Sequence, residues 1–393
     1  MLERQRGVVA AVALAVVLGA CAPSSRPSAP PAGVLAPERA SAAREVLSGQ
    51  QAAPPAGPAA AALQALVDGA RQEGQLNLVL TAGVFGGDEG LQYLMEGFNR
   101  LYGLNLTVRT TPGPTLPNMV ARLVDEYKAD RVATTDMAVG WGDHILALSR
   151  ADVLEPVDWL SWAGNVPGPG YLAPGGAAVA VASGLPGIAY SPERLSGDRV
   201  PHSLQDLLKP EYQGRIAATE HAGWFNHLAA PELWGEQRTL DYVRRLSHQA
   251  AGLIRCSENE RIVSGEFDAY ALTCVHNNIL RMKADGAPID FTIATDAPLI
   301  GLFYAGVPRR AAHPNAAKLF INYLLSREAQ DAVYAMEARD LHLLPGSKTA
   351  RDIEQWQTGG IRFTLVDVDF YQRNDEKELN RLAGELVAAL QNP

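Results

Sequence analysis

The chain has 393 residues, 47% of them apolar and 20% charged, the balance of a folded globular protein rather than a disordered one. Its formal net charge of −9 is spread along the sequence, and the absence of a basic stripe with interleaved aromatics argues against a nucleic-acid partner. The length holds two lobes or one large α/β unit, at about 100–200 residues per domain.

Arg4 and Arg6 precede an apolar run from Gly7 to Ala20, which closes as Leu18-Gly19-Ala20-Cys21. A positive start, a short apolar core and small residues before a cut read as an export signal. The run is shorter than the roughly 18 apolar residues of a spanning helix, and no later stretch is long enough either. A leucine three positions before a cysteine, with two small residues between, resembles the lipobox of bacterial lipoproteins. That resemblance implies cleavage before Cys21, with residues 1–20 as signal peptide and a diacylglycerol on the Cys21 sulfur. Residues 21–60 form a tether in which proline recurs at 23, 27, 30, 31, 37, 54, 55 and 58; such a segment buries little.

The folded region is expected from Ala61. Leu63, Leu66, Val67 and Ala70 fall at helical spacing, and Gly74 stops that helix. Residues 76–80 read as a strand and 81–88 as a glycine-rich loop. Leu91, Leu94, Met95, Phe98 and Leu101 then share one helix face, capped by Gly103. A strand at 104–110, a loop at 111–115, a helix at 119–127 and a strand at 136–140 follow. Strand, loop and helix in alternation predict βαβ units on a parallel sheet. Ligands bind beyond the carboxyl ends of such strands, so the loops at Thr81, Thr111 and Gly140 should share a rim.

Residues 161–176 are irregular. Residues 177–183 and 187–190 read as a strand leaving one lobe for another. A second series follows: a helix at 201–208 with Ser203 as N-cap, a strand at 214–218, a helix at 239–250, a strand at 252–256, a short helix at 259–264 and a strand at 268–275. Its rim lies at Thr219, Cys256 and His276. Residues 289–295 return as a strand to the first lobe. Helices are expected from 313 to 326, with Pro314 at N1, and from 326 to about 336. Residues 361–368 are extended, and 374–390 close the chain as a helix.

Apart from Cys21, the cysteines are Cys256 and Cys274. In an exported chain such a pair favours a disulfide, worth about 3 kcal/mol for a loop of this size; two free thiols are the alternative. The segment after Cys256 is not a CxxC and no second thiol pair exists, so the spacing does not indicate zinc.

Four segments resemble one family: Pro210-Glu-Tyr-Gln-Gly-Arg-Ile216, Ile262-Val-Ser-Gly-Glu-Phe267, the helix from His313 through Ser326 to Gln330, and Val366-Asp-Val-Asp369. Together, over about residues 75–390, they resemble the extracellular solute-binding proteins of ABC importers, in the ferric-iron and polyamine-related branch. The resemblance implies the type 2 periplasmic-binding-protein fold, with two α/β lobes joined by a two-strand hinge. Lobe 1 is then residues 61–188 and 296–393, and lobe 2 residues 189–295. It implies a non-enzymatic, monomeric, cofactor-free lipoprotein on the cell membrane, facing the periplasm or exterior. Such a receptor captures a small molecule or ion (iron, polyamine, phosphonate or similar) and delivers it to the permease's transmembrane subunits. A sensory lipoprotein presenting its ligand to a receptor is one alternative; an enzyme acting through Cys256 or Cys274 is another. The chain carries no Gly-x-Ser-x-Gly, His-Glu-x-x-His, Walker or dinucleotide motif.

Ferric members of that family carry a tyrosine pair after the strand that follows Gly-Glu. Here the place reads Cys274-Val-His-Asn-Asn278, and imidazole and amides replace the hard phenolate donors suited to Fe(III). Asp143, Glu220, His221, Glu258 and His276 are the candidate cation ligands, with Asp88 as a further carboxylate. Trp141 and Trp224, on opposing rims, are placed to sandwich an apolar or cationic ligand. Thr81, Ala82 and Gly83 offer hydroxyl and backbone N–H groups to an oxyanion. Thr115, Asn226 and Asn277, on the same loops, complete the candidate set.

Overall fold

The computed structural model describes residues 58–81, 83–221 and 223–391. The signal peptide, Cys21 and nearly all of the tether lie outside them. Helix α1 (Pro58–Glu73) begins three residues before the expected start and ends at Gly74, whose φ of 70° suits glycine. Strand β1 (Gln75–Leu80) pairs in parallel with β2 (Thr107–Pro112) across the helix α2 (Gly87–Tyr102). Leu91, Leu94, Met95 and Phe98 are buried on one face of α2, and Gly103 caps it in the left-handed conformation. Helix α3 (Leu116–Lys128), strand β3 (Ala138–Trp141) and helix α4 (Gly142–Arg150) follow. The segment leading into β3 lies along the free edge of β1. Asp136 N–H donates to the Asn77 carbonyl (2.9 Å), and Asn77 N–H to Asp136 Oδ2 (2.6 Å).

Two crossings join the first lobe to the second. Strand β4 (Val179–Gly184) leads out into β5 (Ile188–Tyr190), and β9 (Asp290–Thr292) returns into β10 (Leu299–Gly306). In the first lobe β10 lies antiparallel to β4 and β3 and parallel to β11 (Thr364–Val366). In the second lobe β5 and β9 are antiparallel neighbours in a five-stranded sheet. The others there are β6 (Ile216–Thr219), β7 (Gly252–Ile254) and β8 (Ala269–Tyr270), in the order β7-β6-β8-β5-β9. The two crossing segments are thus neighbours in both sheets, as expected for a two-strand hinge. They run so close that a Cβ on Gly187 would meet the Thr292 carbonyl oxygen at 2.5 Å.

The second lobe adds helices α5 (Phe225–Leu228), α6 (Glu236–Gln249), α7 (Glu260–Val263) and α8 (His276–Ala284). After β10 come α9 (Pro314–Leu324), with Pro314 in its first turn, α10 (Arg327–Glu337), capped by Ser326, and α11 (Lys348–Thr358). The chain closes with α12 (Val368–Arg373) and α13 (Glu376–Gln391), which packs on α5 and α6; Arg381 reaches Glu236 at 3.1 Å.

Several expectations change. Residues 201–208 form turns rather than a continuous helix, although Ser203 Oγ still accepts Asp206 N–H at 3.0 Å. The strand expected over 268–275 is only Ala269–Tyr270, because Leu272 at φ 50° bends the chain away. Helix α11 was not expected. It buries only Thr349 and Ile353, too few apolar positions to print a period. The closing helix starts at Glu376, after Asp375 at φ 45°, close to the expected 374, and the short helix α12 before it was not expected.

Candidate functional site

Trp141 ends β3 in the first lobe. Trp224 follows Gly223, which takes φ 58° just after β6 in the second. Their rings meet edge to face, with centroids 5.4 Å apart, and Phe303 of β10 packs on Trp141 at 5.1 Å. Gly184 and Gly301, partners across β4 and β10, form the floor beneath them. A Cβ on Gly301 would lie 2.3 Å from the Trp224 ring, and one on Gly184 2.6 Å from the Trp141 ring. Trp224 Nε1 donates to the Cys274 carbonyl at 2.5 Å. The opposing rims therefore do bring the two tryptophans together, but ring on ring rather than on either side of a gap.

Behind Trp224 lies His227, buried, its Nε2 at 2.7 Å from the Tyr371 hydroxyl. Burial lowers its pKa to about 4, with the Asp143 carboxylate opposing the shift. Asp143 itself lies 2.6 Å from His144 Nδ1. Burial disfavours its ionisation, but the bond to His144 and the charges of His144 and His227 outweigh that, and its pKa falls.

Arg339 and Glu337 form a buried pair, 7% and 4% exposed, joined Nε to Oε2 at 2.5 Å. Glu337 Oε1 also accepts Gly86 N–H at 3.0 Å, tying the glycine-rich loop to the end of α10, and the Arg339 guanidinium sits 5.2 Å over the Phe303 ring. Across the lobe boundary, α8 meets α10. His276, the first residue of α8, accepts Leu185 N–H on Nδ1 at 3.1 Å, so its neutral ring carries the proton on Nε2. Burial, aided by the Arg339 charge, lowers its pKa to about 3. His276 Nε2, Asn226 Oδ1 and Asn277 Oδ1 are buried without a hydrogen-bond partner among the described residues. Buried polar atoms are rarely left unpaired without a reason.

The other candidates are scattered. Thr81 Oγ1 donates to the Pro114 carbonyl at 3.2 Å, Gly83 turns at φ 86°, and Ala82 lies outside the described residues. Thr115 is exposed at the start of α3, and Asp88 accepts from Thr110 Oγ1. Glu220 faces Arg255 at 3.5 Å; Glu258 accepts Arg255 N–H at 2.9 Å and lies 3.6 Å from Arg261. Cys256 and Cys274 are joined in a disulfide, and His221 Nε2 lies 3.3 Å from Cys256 Sγ. Asp143, Glu220, His221, Glu258 and His276 thus do not converge as one cation site: they do not lie within mutual reach as a group of ligands. Among the described residues, His221, Cys256 and Cys274 are the one group of three potential metal ligands within mutual reach.

His227, Glu337, Arg339, Gly184 and Gly301 were missed from the sequence. Only His227 had a local signal, one helical turn beyond Trp224. Two cavities lie apart from the tryptophan contact. An open depression of about 720 Å³ is lined by Trp234, Arg238, Tyr242 and Arg245, and one of about 150 Å³ lies between α10 and residues 340–347.

The sequence model of the bacterial extracellular solute-binding protein family matches residues 147–370, more than half of the chain. The chain belongs to this family. Over 251 residues this solute-binding protein is 27% identical to the Fe(3+)-binding periplasmic protein of Serratia marcescens, covering 60% of this chain and 70% of that relative. Its fold is similar to the substrate binding protein of the ABC transporter from Agrobacterium tumefaciens, with a TM-score of 0.66, 17% identity and coverage of 82% and 97% of the two chains. It is also similar to iron-bound HitA from Pseudomonas aeruginosa, with a TM-score of 0.61, 17% identity and coverage of 79% and 99%. The solute-binding protein has the two-lobe α/β architecture of the type 2 periplasmic binding proteins.

Proposed function

We propose that the chain is the membrane-tethered receptor of an ABC importer, which closes its lobes on a small polar solute and presents it to the permease's transmembrane subunits. The observation that carries this reading is the pair of strand crossings, β4 to β5 and β9 to β10, neighbours in both sheets. They bring Trp141 of one lobe onto Trp224 of the other. Hinge closure of this kind uses binding energy available only when both lobes touch the ligand. The same crossings support lobe boundaries of 61–188 with 296–393, and 189–295. The family places the chain outside the cytoplasm, and the signal and lipobox-like sequence support an anchor on Cys21.

The unpaired His276 Nε2–H and the Asn226 and Asn277 side chains, all on the second lobe, suit a solute held by hydrogen bonds. The absence of a tyrosine pair around residues 274–278 favours an organic solute over bare ferric iron. The disulfide leaves neither Cys256 nor Cys274 as a free nucleophile.

The full chain, freed of ligand by unfolding and refolding, should be screened by native mass spectrometry and thermal shift against Fe(III), polyamines, phosphonates and thiamine. A true ligand at 100 times its Kd adds about 2.7 kcal/mol to stability. No bound mass and no shift with any of them would overturn this choice of ligands. Cys21→Ala should release the protein from membranes; retention would refute the anchor.

A further inference from the structure

His221, Cys256 and Cys274 sit on three separate loops, after the carboxyl ends of β6, β7 and β8. His221 Nε2 lies 3.3 Å from Cys256 Sγ and 3.9 Å from Cys274 Sγ. In a tetrahedral zinc site, with Zn–S about 2.3 Å and Zn–N about 2.0–2.1 Å, the nitrogen–sulfur edge is about 3.6 Å. The two observed distances bracket that edge. The two thiols lack zinc spacing along the chain, but the fold supplies a third donor, His221, from a different loop. His221 is exposed and the two cysteines are partly so, which leaves the group open to a reductant and to an ion.

We propose that reduction of the Cys256–Cys274 disulfide converts this group into a Cys2His site for a zinc-class divalent cation, with the fourth position left to solvent. The disulfide takes two electrons and two protons from a dithiol, which becomes a disulfide in turn. The resulting thiols lose their protons to water as the ion binds. Their sulfurs then move apart to about 3.8 Å, the tetrahedral edge for two Zn–S bonds. The Cys256 and Cys274 Cα atoms are 5.6 Å apart, so side-chain rotation accounts for most of that opening. His221 Nδ1 accepts Gly223 N–H at 2.9 Å, which puts the ring proton on Nε2 in the oxidised chain. Metal binding moves that proton to Nδ1 and breaks the bond from Gly223 N–H. The site is separate from the interlobe contact but joined to it, because Trp224 Nε1 donates to the Cys274 carbonyl.

The test uses the full chain with Cys21→Ser, so that only these two thiols titrate. After reduction with dithiothreitol and anaerobic desalting, it should bind one equivalent of Co(II). The spectrum should show sulfur-to-cobalt charge transfer and intense tetrahedral d–d bands, bleached by Zn(II). The oxidised chain should show neither. Adding His221→Ala should leave both thiols titratable, remove the tetrahedral bands and weaken zinc by at least about tenfold, since even outer-shell partners are worth 10–100-fold. Zinc should also protect both thiols from alkylation when His221 is present. Reduced protein with two free thiols and no charge-transfer band, an alanine variant that binds equally well, or loss of native circular dichroism on reduction would each overturn the proposal.

Discussion

Gly301→Ala is the most direct probe of how the lobes meet. The new Cβ would lie 2.3 Å from Trp224 Cη2, 3.1 Å from its Cζ3 and 3.3 Å from Trp141 Cε3. Real Cβ atoms essentially never approach a neighbour within 3.0 Å. Trp224 cannot simply swing aside, because its Nε1 is held by the Cys274 carbonyl. Overpacking of this kind costs about 1–3 kcal/mol. Gly301 belongs to the first lobe and Trp224 to the second, so separating the lobes relieves the clash without unfolding either. The expected result is a 5–150-fold fall in the ratio of closed to open protein, the factor for about 1–3 kcal/mol. Small-angle scattering should report a larger radius of gyration, and acrylamide should quench tryptophan more readily. The melting temperature should fall by less than the full cost implies, since the open form stays folded. Gly164→Ala, with nothing within 4 Å of its Cβ, is the control. If Gly301→Ala leaves scattering, quenching and melting unchanged, the contact between these lobes is not built as described.

Three further outcomes are expected. Glu337→Ala strands the buried Arg339 charge and should cost about 3–5 kcal/mol in urea denaturation. Glu337→Gln, which still accepts from Gly86, should cost less, and a loss under about 1 kcal/mol for alanine would refute the pairing. Stability should fall in acid. The folded pKa of His227 is about 4, below an unfolded value of about 6.5, so the unfolded chain binds the proton first. Stability should hold above pH 7 and decline between about 6.5 and 4, by roughly 3 kcal/mol from His227 alone. His276, with a pKa lowered to about 3, adds in the same direction. Urea midpoints that stay flat down to pH 4, or an unchanged profile in His227→Gln, would contradict this. Replacing both Cys256 and Cys274 by serine should lower stability by about 3 kcal/mol, the closure entropy of a loop of this length. A melting temperature equal to the parent's would show that the disulfide does not restrain the unfolded chain.

Much of the fold was legible because it is written in short-range pattern. The apolar face of α2, its Gly103 cap, Pro314 at the start of α9 and the Ser326 cap of α10 are each set by residues within a few positions. The crossings at 184–188 and 292–299 showed as apolar extended runs between βαβ series, and an exported chain with two remaining thiols favoured the disulfide over free thiols. Helix α11 and the bend at Leu272 were not legible, because one has too few buried positions to set a period and the other adopts a conformation its side chain does not announce.

Most of the order of elements was therefore legible in the sequence, as was the two-lobe plan through its resemblance, and a tie between Cys256 and Cys274 was favoured over free thiols. Which polar groups meet was decided only in three dimensions. Trp141, Trp224 and Gly301 come together from three strands or strand ends far apart in the chain. Arg339 finds Glu337 and the Phe303 ring, while His221 lies beside sulfurs on two other loops. Periodicity reports which face of an element is buried, but carries no information about which distant side chain will be waiting there.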